Sequence, residues 1–366
     1  MKKSTLIIGL VAATLVLTAC QNGKSDANKA PISTPEVVTP TATPTDGTDN
    51  TEKEPTTLLT IADYFSFKEN AEYVYEGKGN EYASYTVYTD YTTDDSIQLR
   101  ENNGGTELVK VLQYKNGELT QVLSRGETYY RENLIGKTEG EGEILLKEPL
   151  KQGTEWTIPG NHKRYISNVD VDITTSLGNF KALEVTTEEE GGKKVDYYAP
   201  NVGLIKSIYT GEDLEVTSTL SKINEDTPFK QTISVYYPTE NEEIRVENKE
   251  LVFNTNDLTS TKLEEAVKDI TNKNARPLIS TNTKINSLYL GKDNIVYVDF
   301  SKELVTEMNA GAGYELLILQ SITNTLGDYY GVKEVNITID GKLYESGHIL
   351  MKKGETFKVN YDKVVQ

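Results

Sequence analysis

Few side chains in this sequence are able to do covalent chemistry. Of its 366 residues one is cysteine and two are histidine. The cysteine, Cys20, directly follows Leu17-Thr18-Ala19, while His162 and His348 close the phrases Pro159-Gly160-Asn161-His162 and Ser346-Gly347-His348. A nucleophilic triad needs a histidine held against a serine, and a structural zinc site wants clustered histidine and cysteine ligands. Both histidines instead follow glycine-containing turns, which places them in exposed loops. Acidic residues are abundant but fall in runs, Glu139–Glu143, Glu188–Glu190 and Glu240–Glu243, as solvated turns do. Asp90, Asp94 and Asp95 lie close together, yet neither they nor Asp46-Gly47-Thr48-Asp49 have the spacing of a calcium loop. The expectation is no catalytic residue, no metal site and no cofactor, hence no enzyme. A glycosidase-type carboxylate pair is the one arrangement that counting leaves open.

Tyrosine is the one excess, with 23 in the chain. Tyr82, Tyr85, Tyr88 and Tyr91 recur every three residues, which in a strand sends alternate rings to opposite faces. On an exposed sheet face they would stack on wall sugars or form a protein-binding patch. The plainer reading is that tyrosine suits a half-buried strand. Trp156 reads as a core anchor near a turn.

The elements that would position these residues separate by period. Residues 58–225 alternate as strands do, for instance in Tyr82–Thr89 and Glu107–Tyr114. Asn116-Gly117 marks one hairpin turn, and Glu190-Gly191-Gly192 joins Phe180–Thr187 to Lys193–Ala199. Turn signals every 8–12 residues with no helical repeat predict an all-β antiparallel sandwich or barrel-like domain. Residues 229–345 change character. Gln231–Tyr237 is a strand stopped by Pro238, and Ile244–Phe253 is a second. Thr261 and Glu264 have capping-box spacing ahead of the stripe Leu263, Val267, Ile270. Strands at Ile285–Leu290 and Ile295–Phe300 follow, with Ser301 as an N-cap. Tyr314–Leu326 is then a largely buried helix ended by Gly327 and Gly331, before a last strand at Val335–Ile339. This order predicts a small α+β domain with two helices on one face of a sheet. Residues 346–366 form a tail that is either free or an added strand.

The N-terminus gives an address. Lys2 and Lys3 precede an apolar run, Leu6–Val16, far shorter than the ~20 residues a membrane-spanning helix requires. Small residues before a lone cysteine resemble the lipobox of bacterial lipoproteins. The resemblance implies that residues 1–19 are a signal peptide and that Cys20 carries a diacylglyceryl group, with palmitate-type chains. Two chains suffice for stable anchoring where one does not. Residues 20–57 are Thr/Pro-rich and polar, a stalk too poor in apolar residues to fold. Such a stalk spans roughly 33 Å as a coil and up to about 110 Å as polyproline II. Removing residues 1–19 takes two lysines and no acid, so the formal charge moves from -18 to -20. That balance argues against nucleic acid and against docking on anionic head groups.

In the last third, Ile295-Val296-Tyr297-Val298-Asp299-Phe300-Ser301, the helix Tyr314–Leu326 and Val332–Gly341 resemble the GerMN domain of sporulation and spore germination proteins. The strand around Val235-Tyr236-Tyr237 fits as well. One departure is that only Ala275-Arg276-Pro277 stands where the family usually has Gly-Pro and a longer loop. The resemblance implies an extracytoplasmic interaction domain with no catalytic centre. The expectation is thus a non-enzymatic protein, lipid-anchored on the outer face of the cell membrane. Its last domain would meet an envelope protein, in a role linked to sporulation or germination. The alternative is a binder of wall glycan, including peptidoglycan, or of a small solute, using the tyrosine-rich β domain.

Overall fold

The computed structural model describes residues 59–365; Cys20, the signal peptide and the stalk lie outside them. A four-residue helix, α1 (Ile61–Tyr64), precedes two six-strand meanders. The first comprises β1 (Glu72–Lys78), β2 (Tyr85–Thr92), β3 (Ser96–Asn102), β4 (Glu107–Lys115), β5 (Glu118–Arg125) and β6 (Glu143–Lys147). The second comprises β7 (Glu155–Ile158), β8 (His162–Thr175), β9 (Gly178–Glu189), β10 (Gly192–Ala199), β11 (Gly203–Gly211) and β12 (Glu215–Asn224). β1 pairs antiparallel with β12, so both meanders join in one 12-stranded sheet running from β6 to β7. Twist and bulges curl this sheet into a nearly closed barrel.

The two free edges meet at a seam that side chains close. Trp156 Nε1 donates to the carbonyl of Ile144 at 2.9 Å, and Arg164 Nη1 donates to the same oxygen at 2.7 Å. Arg164 Nη2 also pairs with Glu143 at 2.7 Å. An unpaired edge invites association with other chains, and this seam removes most of that hazard. The Asn116-Gly117 turn has positive φ at both residues, 55° and 75°, which matches the strand twist of a type I′ hairpin.

The second part begins with the hairpin β13 (Phe229–Pro238) and β14 (Ile244–Phe253). Helix α2 (Thr259–Lys268), strands β15 (Ile285–Leu290) and β16 (Val296–Phe300), helices α3 (Glu303–Thr306) and α4 (Ala312–Tyr330), and β17 (Glu334–Ile339) follow. The strands divide between two sheets instead of forming one. β13 and β14 stand alone, whereas β15, β16 and β17 form a second sheet with β18 (Lys342–Leu343) and β19 (Phe357–Lys358). Helix α4 packs on β13 and on the second sheet, which is why it is buried on most sides. Its end is Gly331, in the left-handed region at φ 68°. Gly327 lies inside the helix, where a Cβ would stand 2.2 Å from Val359 Cγ2. Residues 346–365 are therefore no free tail: β19 pairs with β17, and Val364 bridges Ile244. Helix α2 starts two residues before Thr261, and the Glu264 carboxylate accepts from Lys268, Lys284 and the Ile285 amide in place of capping.

Both parts belong to one compact body. The outer faces of β2 and β3 carry Asp90, Gln98 and Arg100, which the segment 128–135 and the second part cover completely. Asp90 Oδ2 lies 3.0 Å from Arg100 Nη2 and accepts from Gln98 Nε2 at 3.2 Å. Arg131 crosses the joint. Its guanidinium donates to Tyr91 Oη at 2.8 Å, to the carbonyls of Asp90 at 2.6 Å and Asn254 at 3.1 Å, and to that of Asp257. It also lies over the rings of Tyr91 and Phe253, at 4.1 and 4.7 Å. From α4, Tyr329 Oη accepts the Arg131 amide, and Thr259 Oγ1 donates to the Arg131 carbonyl. A buried charge is costly unless it is paired and hydrogen-bonded; both terminal nitrogens of Arg131 are satisfied, while its Nε has no hydrogen bond and lies 3.4 Å from Asp90 Oδ1.

Candidate functional site

The barrel encloses a cavity of about 460 Å³. Strand direction sorts its lining. One end collects the starts of β1, β3, β5 and β11 and the ends of β2, β4, β10 and β12, and α1 lies across it. The Asn201 amide ties the β10–β11 turn to the Asp63 carbonyl at 2.7 Å, and the Ile61 amide is held by Glu148 at 3.1 Å. Tyr64, Phe65, Phe67, Leu119, Tyr198 and Leu204 make this floor apolar. Toward the other end the lining turns polar with Glu101, Lys110, Ser124, Glu143 and Lys194. Cavities of this size and mixed character are the usual form of small-molecule sites.

Most charges in the wall are already paired. Lys110 meets Glu101 at 2.7 Å, and Glu143 meets Arg164. Lys194 lies 3.1 Å from Asp196 Oδ2. At middle depth, beside Ser207 and Ser218, the other Asp196 oxygen has no protein partner although the residue is only 5% exposed. Elsewhere in the lining, on β1 and β2, Tyr75 and Tyr85 stack with centroids 4.5 Å apart. Burial pushes both phenols well above their ordinary pKa, so they remain neutral. Tyr75 Oη donates to the Leu204 carbonyl at 2.8 Å, fixing β1 to the floor.

The four tyrosines at spacing three do not form one surface. Tyr82 is half exposed in the turn before β2, whereas Tyr85 faces the cavity. Tyr88 lies against Phe229 and donates to the Thr227 carbonyl, and Tyr91 is buried beneath Arg131. The reason is a bulge between Thr89 and Tyr91, together with the second part, which covers the outer face of β2. A flat sugar-stacking platform from these rings is thereby ruled out. Asp90 is consumed by the buried arginines, while Asp95 caps its own turn through Thr93 and Ser96. No acidic or histidine cluster with metal-binding geometry occurs among the described residues.

His348 lies in an exposed bend, as expected, but it is not free of contacts. Its Nδ1 lies 2.7 Å from Glu315 Oε2, and Tyr344 Oη donates to Oε1 at 2.8 Å. Glu315 is 2% exposed at the start of α4, in the wall of a depression of about 440 Å³. Burial raises its pKa, but hydrogen bonds from Ser346, His348 and Tyr344 outweigh that and hold it below the ordinary carboxylate value. A buried carboxylate so satisfied is a structural anchor for the segment 344–348. His162, at the start of β8, makes no such contact. The sequence signal missed was the pairing of Glu315 with a histidine 33 residues on, which periodicity cannot show.

Comparison with known proteins agrees with the geometry of the second part. Residues 234–345 match the domain family Germane, described as sporulation and spore germination. Among solved structures, the first GerMN domain of the sporulation protein GerM from Bacillus subtilis is 23% identical over 33% of this chain and 94% of its own, with a TM-score of 0.27. The tandem GerMN domains of the same protein are 20% identical over 34% of this chain and 45% of theirs, with a TM-score of 0.26. An exported protein with a YmcC-like fold from Bacteroides fragilis is 12% identical over 44% of this chain and 98% of its own, with a TM-score of 0.27. No curated protein sequence matches the chain. The second part is thus a GerMN-like domain, joined to an antiparallel β-barrel.

Proposed function

We propose that this chain is a non-enzymatic, lipid-anchored protein of the cell envelope whose GerMN-like domain docks on a protein partner in sporulation or germination. The observation that carries the reading is the family match over residues 234–345. The lipobox-like Leu17-Thr18-Ala19-Cys20 supports anchoring, and no helix among the described residues is long and apolar enough to cross a membrane. The buried joint adds a mechanical element. With Arg131 fixed between the two parts, the barrel is a rigid mount that sets the orientation of the GerMN-like domain relative to itself. In cells, Cys20→Ala is expected to move the protein from the membrane fraction to the soluble or secreted fraction. Full retention of that variant in the membrane contradicts the anchoring.

A further inference from the structure

We propose that the barrel cavity is a binding site for a small amphiphile whose head group donates an N–H hydrogen bond, a primary amine above all, to Asp196. The inference stands apart from the docking role and rests on three features of the cavity.

The first is its polarity gradient. Phe65, Phe67, Tyr198 and Leu204 line a floor closed by α1, while the charged pairs gather toward the opposite end. An apolar tail gains by leaving water for the floor, and a polar head loses little by staying near the other end. The second is the state of Asp196. Lys194 holds Oδ2, so the carboxylate is oriented, and Oδ1 is buried in the cavity wall with no protein donor. A buried polar atom without a partner is costly, so a donor placed there is strongly favoured. The third is that the other charges near the mouth are compensated within the wall: Lys110 by Glu101 and Glu143 by Arg164. An acidic head would find no free cation at Asp196, only an unsatisfied carboxylate oxygen. A donor head matches the site and an acceptor head is repelled from it.

Strand rise gives the reach. Tyr198 stands two residues below Asp196 on β10, about 7 Å at ~3.3 Å per residue. The floor therefore takes a short tail, which suits octyl compounds as probes. Calorimetric titration of residues 21–366 with octylamine should give saturable binding. N,N,N-trimethyloctylammonium has the same charge and tail but no N–H, and should bind at least about tenfold more weakly; octanoate should bind weakest. Asp196→Asn should remove the advantage of octylamine over the trimethyl compound. Leu204→Trp, which fills the floor and leaves Asp196 intact, should abolish binding of all three. Near-UV circular dichroism of each variant shows whether the barrel is folded. Equal affinity for the three probes, or octylamine binding that survives both substitutions in folded protein, overturns the proposal. So does the absence of saturable octylamine binding to the unaltered protein.

Discussion

Replacing Arg131 with methionine is the sharpest perturbation of the joint. The substitution keeps most of the apolar stem and removes the guanidinium, which is 1% exposed and donates to Tyr91, Asp90, Asn254 and Asp257. Two of these acceptors belong to the barrel and two to the loop after β14, so one side chain spans both parts. Summing charged hydrogen bonds at ~1.5–3 kcal/mol each overstates the loss, because neighbouring contacts are not additive. Asp90 retains Arg100 and Gln98, so its carboxylate is only partly deprived. Breaking a buried pair by removing one partner costs about 3–5 kcal/mol, and that is the expected destabilisation. Lys230→Met is the control, since Lys230 and Glu250 pair at 3.0 Å with both side chains more than half exposed; such pairs contribute about 0–1 kcal/mol. Guanidinium unfolding can be followed by two probes. Trp156 is the single tryptophan and reports the barrel, whereas far-UV ellipticity is weighted toward α4 in the GerMN-like domain. In the unaltered protein the two transitions should coincide. In Arg131→Met both should fall and separate. A loss below about 1 kcal/mol, no larger than the control, refutes the account of the joint.

Acid stability depends on Glu264 and Glu315, both held below their ordinary value of 4.5. A carboxylate with a depressed folded pKa contributes stability that is complete above the unfolded value and is lost as pH falls through the folded one. Stability should therefore decline below about pH 4.5, and in Glu264→Gln and Glu315→Gln the slope in chemical denaturation at stepped pH should flatten; an unchanged slope contradicts the assignment. Arg164→Leu removes the donors that close the seam at Ile144 and Glu143, and hydrogen exchange in residues 143–147 should accelerate by about tenfold or more, equivalent to ~1.4 kcal/mol of local opening. In Gly327→Ala, a methyl against Val359 should cost about 1–3 kcal/mol, more than the ~1 kcal/mol that alanine adds to a helix. Amide protection at Phe357–Val359 should fall, and Val359→Ala in the same chain should restore it.

Much of the local structure was legible because it depends on short-range signals. Asn116-Gly117 demands the left-handed region at both residues, Pro238 stops a strand that needs its amide, and the alternation of Glu107–Tyr114 reports a two-faced sheet. The helix at 314–326 was visible from its apolar run, yet Gly327 misled as a terminator: its role is the close approach of Val359, a contact across 32 residues. The same limit hid the joint. Asp90, Gln98 and Arg100 look like polar positions on the solvent face of a strand, because alternation carries no information about what later covers that face. Tyr85 and Asp196 likewise acquire meaning only when twelve strands curl round them. Charges buried by distant segments leave no local trace, whereas turns and strand periods do.

The docking role is tested most directly by where the protein touches others in its own envelope. A photo-crosslinking residue can be placed at Leu316 or Leu350, exposed on the GerMN-like domain, and at Val169 or Leu214, exposed on the barrel. Irradiation of living cells should give a discrete protein adduct from the first pair and none from the second. Adducts confined to the barrel positions, or no protein adduct from either domain, would contradict the account.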